Sequence, residues 1–279
     1  MLCADEFGRW PLSVVHGGTD RQSGQDMNGA IGTLRGRNVV VLGASRGIGR
    51  ETVRRAFLEG ACVLAVARGS DGLQQLQNEM PGIQTLALDG TADHAPRRVF
   101  ETLSPDVVVV CGGAIPTPGP VHNLSWNEFA TAWQTDVKMS FLFCGHALRA
   151  PLAPGSTVIL ISSGAGIHGS PISGGYAGAK RMQMFLASYC QKESARLGLG
   201  IRFAALVPMR LMPETDLGKV AVEGYAQYLG MKPTDFIECM TDRQSAVDVA
   251  AAVVRIATER DVGTDTVFGV STDGISRLS

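Results

Sequence analysis

Asn38-Val-Val-Val-Leu-Gly-Ala-Ser-Arg-Gly-Ile-Gly49 decides how the rest of this 279-residue chain is read. Residues 38 to 42 form a short apolar run ending at a glycine, and helical spacing of apolar residues follows from Gly49 to Leu58. That pattern predicts a buried strand feeding a glycine-rich turn that opens a helix. Glycines at 43, 47 and 49 permit a tight turn, close approach of a ligand to the backbone, and close packing of helix on strand. Ser45, Arg46 and Ile48 complete the turn. The helix start then offers unpaired N–H groups and the positive end of its dipole to a phosphate.

Working outward, the same alternation repeats. Cys62 to Ala67 reads as a second strand, Leu73 to Glu79 as a helix, and Ile83 to Leu88 as a third strand. Val107 to Val110 and Val158 to Ser162 are apolar on both faces, as central parallel strands are. Long helices are predicted at Trp126 to Leu148 and Tyr176 to Leu197, and further strands at Arg202 to Val207 and Thr266 to Val270. The fold class that follows is α/β, a Rossmann-type doubly wound parallel sheet of about seven strands in a single domain spanning 34–279. Residues 1–33 lack periodicity and read as a flexible N-terminal extension. From Met209 to about Cys239 the alternation breaks. This segment leaves the C-terminal end of a strand, where open α/β sheets bind ligands. A mobile lid at about 209–240 over an apolar pocket is expected, with an ordinary helical pair as the alternative.

Composition narrows the function classes. Lys plus Arg number 25 and Asp plus Glu 26, so no charge bias points to nucleic acid or an acidic membrane surface. No run approaches the ~20 apolar residues of a membrane helix, and the acidic start of the chain is unlike a signal peptide. The six cysteines are scattered without metal spacing and read as reduced thiols of a cytoplasmic protein. No metal site is expected.

The second strand ends in Ala67 and then Arg68, where a carboxylate would bind a free ribose 2′-hydroxyl. With Arg46 nearby, two guanidiniums and no carboxylate favour a 2′-phosphate, hence NADP(H), with NAD(H) as the alternative. Asp89, ending the third strand, is a candidate adenine contact or a turn cap.

Ser163 follows a buried strand, and Tyr176 and Lys180 share one helix face four residues apart. An ammonium near a phenol favours phenolate and should pull its pKa down toward working pH, while a serine hydroxyl can polarise a substrate oxygen. Ser162 competes with Ser163 for that role. Tyr228 and Lys232 repeat the spacing, but with Pro233 next and no strand-borne serine upstream the pair reads as coincidence. His168, in the loop before Tyr176, is either a cleft residue or solvated.

The ordered set GASRGIG, Ser163, then Tyr176-Ala-Gly-Ala-Lys180 resembles the short-chain dehydrogenase/reductase family over roughly residues 34 to 279. The resemblance implies an oxidoreductase that uses NAD(P) to interconvert ketones and secondary alcohols, assembled as a homotetramer or homodimer. It implies Tyr176 as acid/base, Lys180 as the group that lowers its pKa and holds the nicotinamide ribose, and Ser163 as donor to the substrate oxygen. Residues Thr241-Asp-Arg243 through Asp248-Val-Ala look like that family's entry into its last long helix. The chain also departs from the pattern. Cys111-Gly112-Gly113-Ala114 replaces Asn-Asn-Ala-Gly, Asp136 replaces a helix asparagine that relays protons, and Pro208-Met209 replaces Pro-Gly. Gly112 and Gly113 still permit a close cofactor approach, and Pro208 and the Leu211 backbone are the expected nicotinamide contacts. The substrate is expected to be a small carbonyl or alcohol, apolar in character given the Met-rich lid. A non-catalytic dinucleotide-binding sensor or scaffold is the rival reading.

Overall fold

The computed structural model describes residues 33–240, 243–259 and 265–278. The extension expected at 1–33 lies outside these apart from Thr33, as do Thr241 and Asp242. The sheet contains β1 (Asn38–Leu42), β2 (Cys62–Ala67), β3 (Gln84–Ala87), β4 (Val107–Val110), β5 (Thr157–Ile161), β6 (Arg202–Pro208), β7 (Val267–Ser271) and β8 (Gly274–Arg277). Their spatial order is β3-β2-β1-β4-β5-β6-β7-β8. The first seven are parallel, and β8 runs antiparallel to β7. The parallel sheet of about seven strands is found as expected, and an antiparallel edge strand brings the total to eight among the described residues. The added edge strand follows a tight turn at Thr272 and Asp273 and opens on Gly274, whose positive φ of 109° suits glycine. Its residues Gly-Ile-Ser-Arg carry too little apolar pattern to announce it.

Alternation along each strand builds two cores. Val39 and Val41 face one side of β1, and Val40 and Leu42 the other. Val107 and Val109 join the first layer, Val108 and Val110 the second. All four are buried, each stabilising the fold by roughly 1.5–3 kcal/mol. Helices α1 (Gly47–Leu58), α2 (Ser70–Glu79) and α10 (Ala246–Thr258) cover the first face. The second is covered by α3 (Ala95–Thr102), α5 (Lys138–Arg149) and α7 (Gly174–Arg196).

The helix expected at Trp126 to Leu148 is interrupted. Helix α4 (Trp126–Ala132), started by a Ser125–Glu128 capping box, runs into a π turn at Trp133–Val137 before α5 begins. Such a turn widens the helix by one residue and re-aims the side chains on it, and Asp136 lies within it. A short helix α6 (Ala165–His168) follows β5, leaving His168 exposed. The 209–240 segment forms α8 (Asp216–Leu229) and α9 (Pro233–Glu238), with a small apolar cluster of its own around Val222, Ala226 and Phe236. Tyr228 lies near the end of α8, whereas Lys232 precedes α9, beyond a left-handed Gly230. The second Tyr–Lys pair therefore shares no helix face. Helix α10 opens on a Ser245–Asp248 capping box.

Candidate active site

The strand order reverses between β1 and β4, and an open cleft lies at the C-terminal ends of the strands there. Glycines shape its floor. A Cβ on Gly49 would stand 2.2 Å from Gly43 O, and one on Gly43 would stand 2.5 Å from Gly112 N. Gly47 adopts a positive φ of 53°. Arg46 caps α1 without a side-chain hydrogen bond, so the helix start keeps its N–H groups for a ligand. These contacts leave a backbone-lined cradle that suits the phosphates of a dinucleotide.

Residues Gly43, Ser45, Arg46, Gly47, Ile48 and Gly49 line the cleft, together with Arg68, Asp89, Gly112, Gly113, Asp136, Tyr176 and Lys180. Arg68 is exposed at the end of β2. Arg46 does not converge with it as expected: its guanidinium pairs with Asp216 at 2.9 Å, at the first turn of α8. Asp89 acts as a turn cap, accepting from Thr91 N at 2.9 Å and Thr91 Oγ1 at 2.8 Å. Those two bonds hold its carboxyl below the usual range.

Pro208 and Leu211 fall outside the cleft lining. Pro208 is buried at the end of β6, where its carbonyl accepts from Gly164 N at 2.8 Å. Leu211 packs into the α8–α9 cluster instead. Met212, Thr215, Asp216 and Leu217 line the cleft in their place. Thr215 caps α8 through Gly218 N at 3.0 Å, and a threonine before an acidic first turn is a readable helix-start signal. Cys111, Thr135 and Met139 also line the cleft without having been anticipated. Burial pushes the Cys111 thiol up to about 12, against the opposing pull of Lys180 and Thr52.

At the inner end, Tyr176 and Lys180 enter on α7. The two serines after β5 separate cleanly. Ser162 donates to Lys180 O at 2.7 Å and is buried, whereas Ser163 Oγ accepts from Ala165 N at 3.2 Å and stands close enough to the Tyr176 phenol to pull its pKa down. Lys180 Nζ lies 5.5 Å from the centre of the Tyr176 ring. Lys180 also pairs with Asp136 Oδ2 at 3.0 Å, their side chains being 7% and 1% exposed. Asp136 Oδ1 accepts from Ala114 N at 2.9 Å and lies 2.8 Å from Thr135 Oγ1.

The expected depression of the phenol pKa is overturned. Burial pushes Tyr176 above the ordinary tyrosine value, outweighing the downward pull of Lys180 and Ser163, and Asp136 adds to the rise. Lys180 itself is raised: burial disfavours its charge, but Asp136 and Tyr176 overcome that cost. The sequence showed the ammonium and Asp136, but not the burial that outweighs the ammonium.

Gly113 is the residue that lets this carboxylate in. A Cβ there would stand 2.6 Å from Asp136 Oδ2. Gly113→Ala should therefore cost about 1–3 kcal/mol of stability, as overpacked cores do. A chemical-denaturation midpoint equal to that of the wild type would show that Asp136 can move aside freely.

A sequence profile described as short chain dehydrogenase matches residues 37–225. Human L-xylulose reductase is 31% identical over 132 residues, covering 47% of this chain and 54% of that one. Pig carbonyl reductase [NADPH] 2 is 29% identical over 126 residues, covering 44% and 52%. The chain spans about half the length of these two relatives. The crystal structure of levodione reductase superimposes with a TM-score of 0.74 at 22% identity, covering 85% of this chain and 97% of that one. The glycine cradle at the switch point, the Tyr176–Lys180 helix and a profile match across most of the domain agree: this chain belongs to the short-chain dehydrogenase family.

Proposed function

We propose that this protein is an NADP(H)-dependent oxidoreductase that interconverts a ketone and a secondary alcohol. The observation carrying this reading is one continuous cleft, running from Arg68 and the glycine turn to the half-buried Tyr176 beside Ser163. A nicotinamide bound there would supply or accept the hydride. During reduction the Tyr176 hydroxyl gives its proton to the substrate oxygen, which the Ser163 hydroxyl holds in place. The raised pKa keeps the phenol protonated at neutral pH, which favours the reductive direction. In this reading Asp136 is the counter-ion of Lys180. It holds the ammonium charged and fixed, at the cost of opposing phenolate.

Arg68, with no carboxylate at the end of β2, supports the phosphorylated cofactor, as does the NADPH in the name of the pig relative. Arg46 would serve a 2′-phosphate only by leaving Asp216. Residues 209–240, with Met212 and Leu217 over the cleft, support a lid above an apolar substrate. The exposed Phe185–Tyr189 stack on α7 and the exposed Phe141 on α5 support assembly of several copies.

Arg68→Ala tests the cofactor assignment. The ratio of kcat/KM with NADPH to that with NADH should fall about tenfold or more, since a hydrogen bond to a charged group contributes about 1.5–3 kcal/mol. Equal use of both cofactors by the wild type would sink the assignment. A non-catalytic dinucleotide binder is the second reading, favoured by a Lys180 whose donors are already engaged inside the protein. Turnover of any member of a ketone panel with NADPH rules it out.

A further inference from the structure

Lys180 sits in a closed ring of hydrogen bonds. Its ammonium donates to Ile161 O at 3.0 Å and to Gln183 Oε1 at 3.0 Å, and pairs with Asp136 Oδ2 at 3.0 Å. An ammonium has three N–H donors, so all are used. Gln183 Nε2 donates to Ser140 Oγ at 2.9 Å, and Ser140 Oγ donates to the Asp136 carbonyl at 2.7 Å. The ring thus runs from Lys180 through Gln183, Ser140 and Asp136 back to Lys180. Two members come from α7, one from the π turn and one from α5. Gln183 and Ser140 are both 0% exposed.

We infer that Gln183 is a positioning residue which, with Ser140, fixes the Lys180 ammonium between the Tyr176 phenol and Asp136. Packing alone gives no reason for a carboxamide here. Met184, Leu186 and Ala187 beside it on α7 are buried in the apolar core, and a polar group in such surroundings costs stability unless every bond is made. The carboxamide has a property an apolar residue lacks. It accepts a hydrogen bond from Lys180 while adding no charge that would oppose phenolate.

Position matters because the pull of a charge falls with distance. Tyr176 is faced by Lys180 on its own helix, Asp136 from the π turn, Ser163 after β5 and Tyr225 from α8. Cys111, at the end of β4, faces Lys180. With Gln183 removed, the ammonium keeps only Ile161 O and Asp136. It is drawn to the carboxylate and away from the phenol, which then titrates at higher pH.

The full-length Gln183→Met variant, apolar and of similar size, tests this in two ways. One is the ultraviolet tyrosinate difference titration without cofactor, each protein referenced to its own Tyr176→Phe counterpart. The other is kcat and KM for NADPH-driven ketone reduction across pH. Tyr176 should titrate about half a pH unit or more higher, and the alkaline limb of kcat for reduction should move up by a similar amount, with KM for NADPH changed by less than about twofold. Ser140→Ala opens the ring at a different bond and should move the titration the same way. Where Gln183→Met does not fold, Ser140→Ala decides by the same criterion. A Tyr176 titration and an alkaline limb of kcat equal to wild type overturn the inference. The activity arm rests on the proposed function, but the titration does not. A wild-type protein without turnover would therefore remove that function and leave the ring to be judged by the titration alone.

Discussion

Tyr176→Phe is expected to lower kcat for ketone reduction by about 10²–10⁴-fold, the range over which a positioned acid or base accelerates a reaction. NADPH affinity should stay nearly unchanged. The ring of residue 176 remains packed 5.5 Å from Lys180, and the glycine cradle at the far end of the cleft is untouched. Only the proton donor is lost. Fluorescence titration with NADPH alongside steady-state kinetics separates the two effects. Persistent turnover would mean that another group delivers the proton, and lost affinity would mean that the hydroxyl serves binding. The raised phenol also sets the pH dependence of the wild type. Reduction needs the neutral phenol, so its rate should hold through neutral pH and fall only in the alkaline range. Alcohol oxidation needs phenolate and should rise with pH over that same range.

Asp136→Ala should destabilise the fold by about 3–5 kcal/mol, because it leaves the buried Lys180 charge without its partner. Chemical denaturation at neutral pH measures this, and a loss below about 1 kcal/mol would mean that the pair is relieved by solvent. Asp136→Asn keeps a hydrogen-bonding group and removes only the charge, so it isolates the electrostatic part. The carboxylate raises Tyr176. Without it the phenol should titrate lower, and the alkaline limb of reduction should move to lower pH. An unmoved limb would remove Asp136 from control of the phenol. Stability should respond as well. Lys180 is raised in the folded state, so its contribution is full below the ordinary lysine pKa and is lost as pH rises through the folded value. That alkaline loss should weaken in Asp136→Asn, since the largest influence raising Lys180 has gone.

Much of the fold was legible because the informative residues are uniform. Val107 to Val110 are apolar on both faces, which only a strand covered on both sides requires. The glycine turn was legible because steric approach at Gly43 and Gly49 tolerates no Cβ. The eighth strand was not, since β8 is a four-residue edge with little apolar burial. Nor was the π turn, because inserting one residue into a helix leaves the local pattern of Trp126 to Leu148 nearly unchanged. Tyr228 and Lys232 marked the limit of spacing as evidence: four residues mean one face only when a single helix spans them.

The sequence by itself determined the strand–turn–helix that cradles phosphate, the parallel α/β sheet, and which tyrosine, lysine and serine meet. These follow from local periodicity and from the steric demands of single residues. Only the tertiary structure decided the electrostatic balance at their meeting point. It placed the Asp136 carboxylate 3.0 Å from Lys180, closed the ring through Gln183 and Ser140, and turned Arg46 toward Asp216. Charge interactions and burial depend on distances between elements far apart in the chain. The direction of the Tyr176 pKa was therefore written in the burial of the phenol, to which Asp136 adds, and not in the four-residue spacing that first drew attention to it.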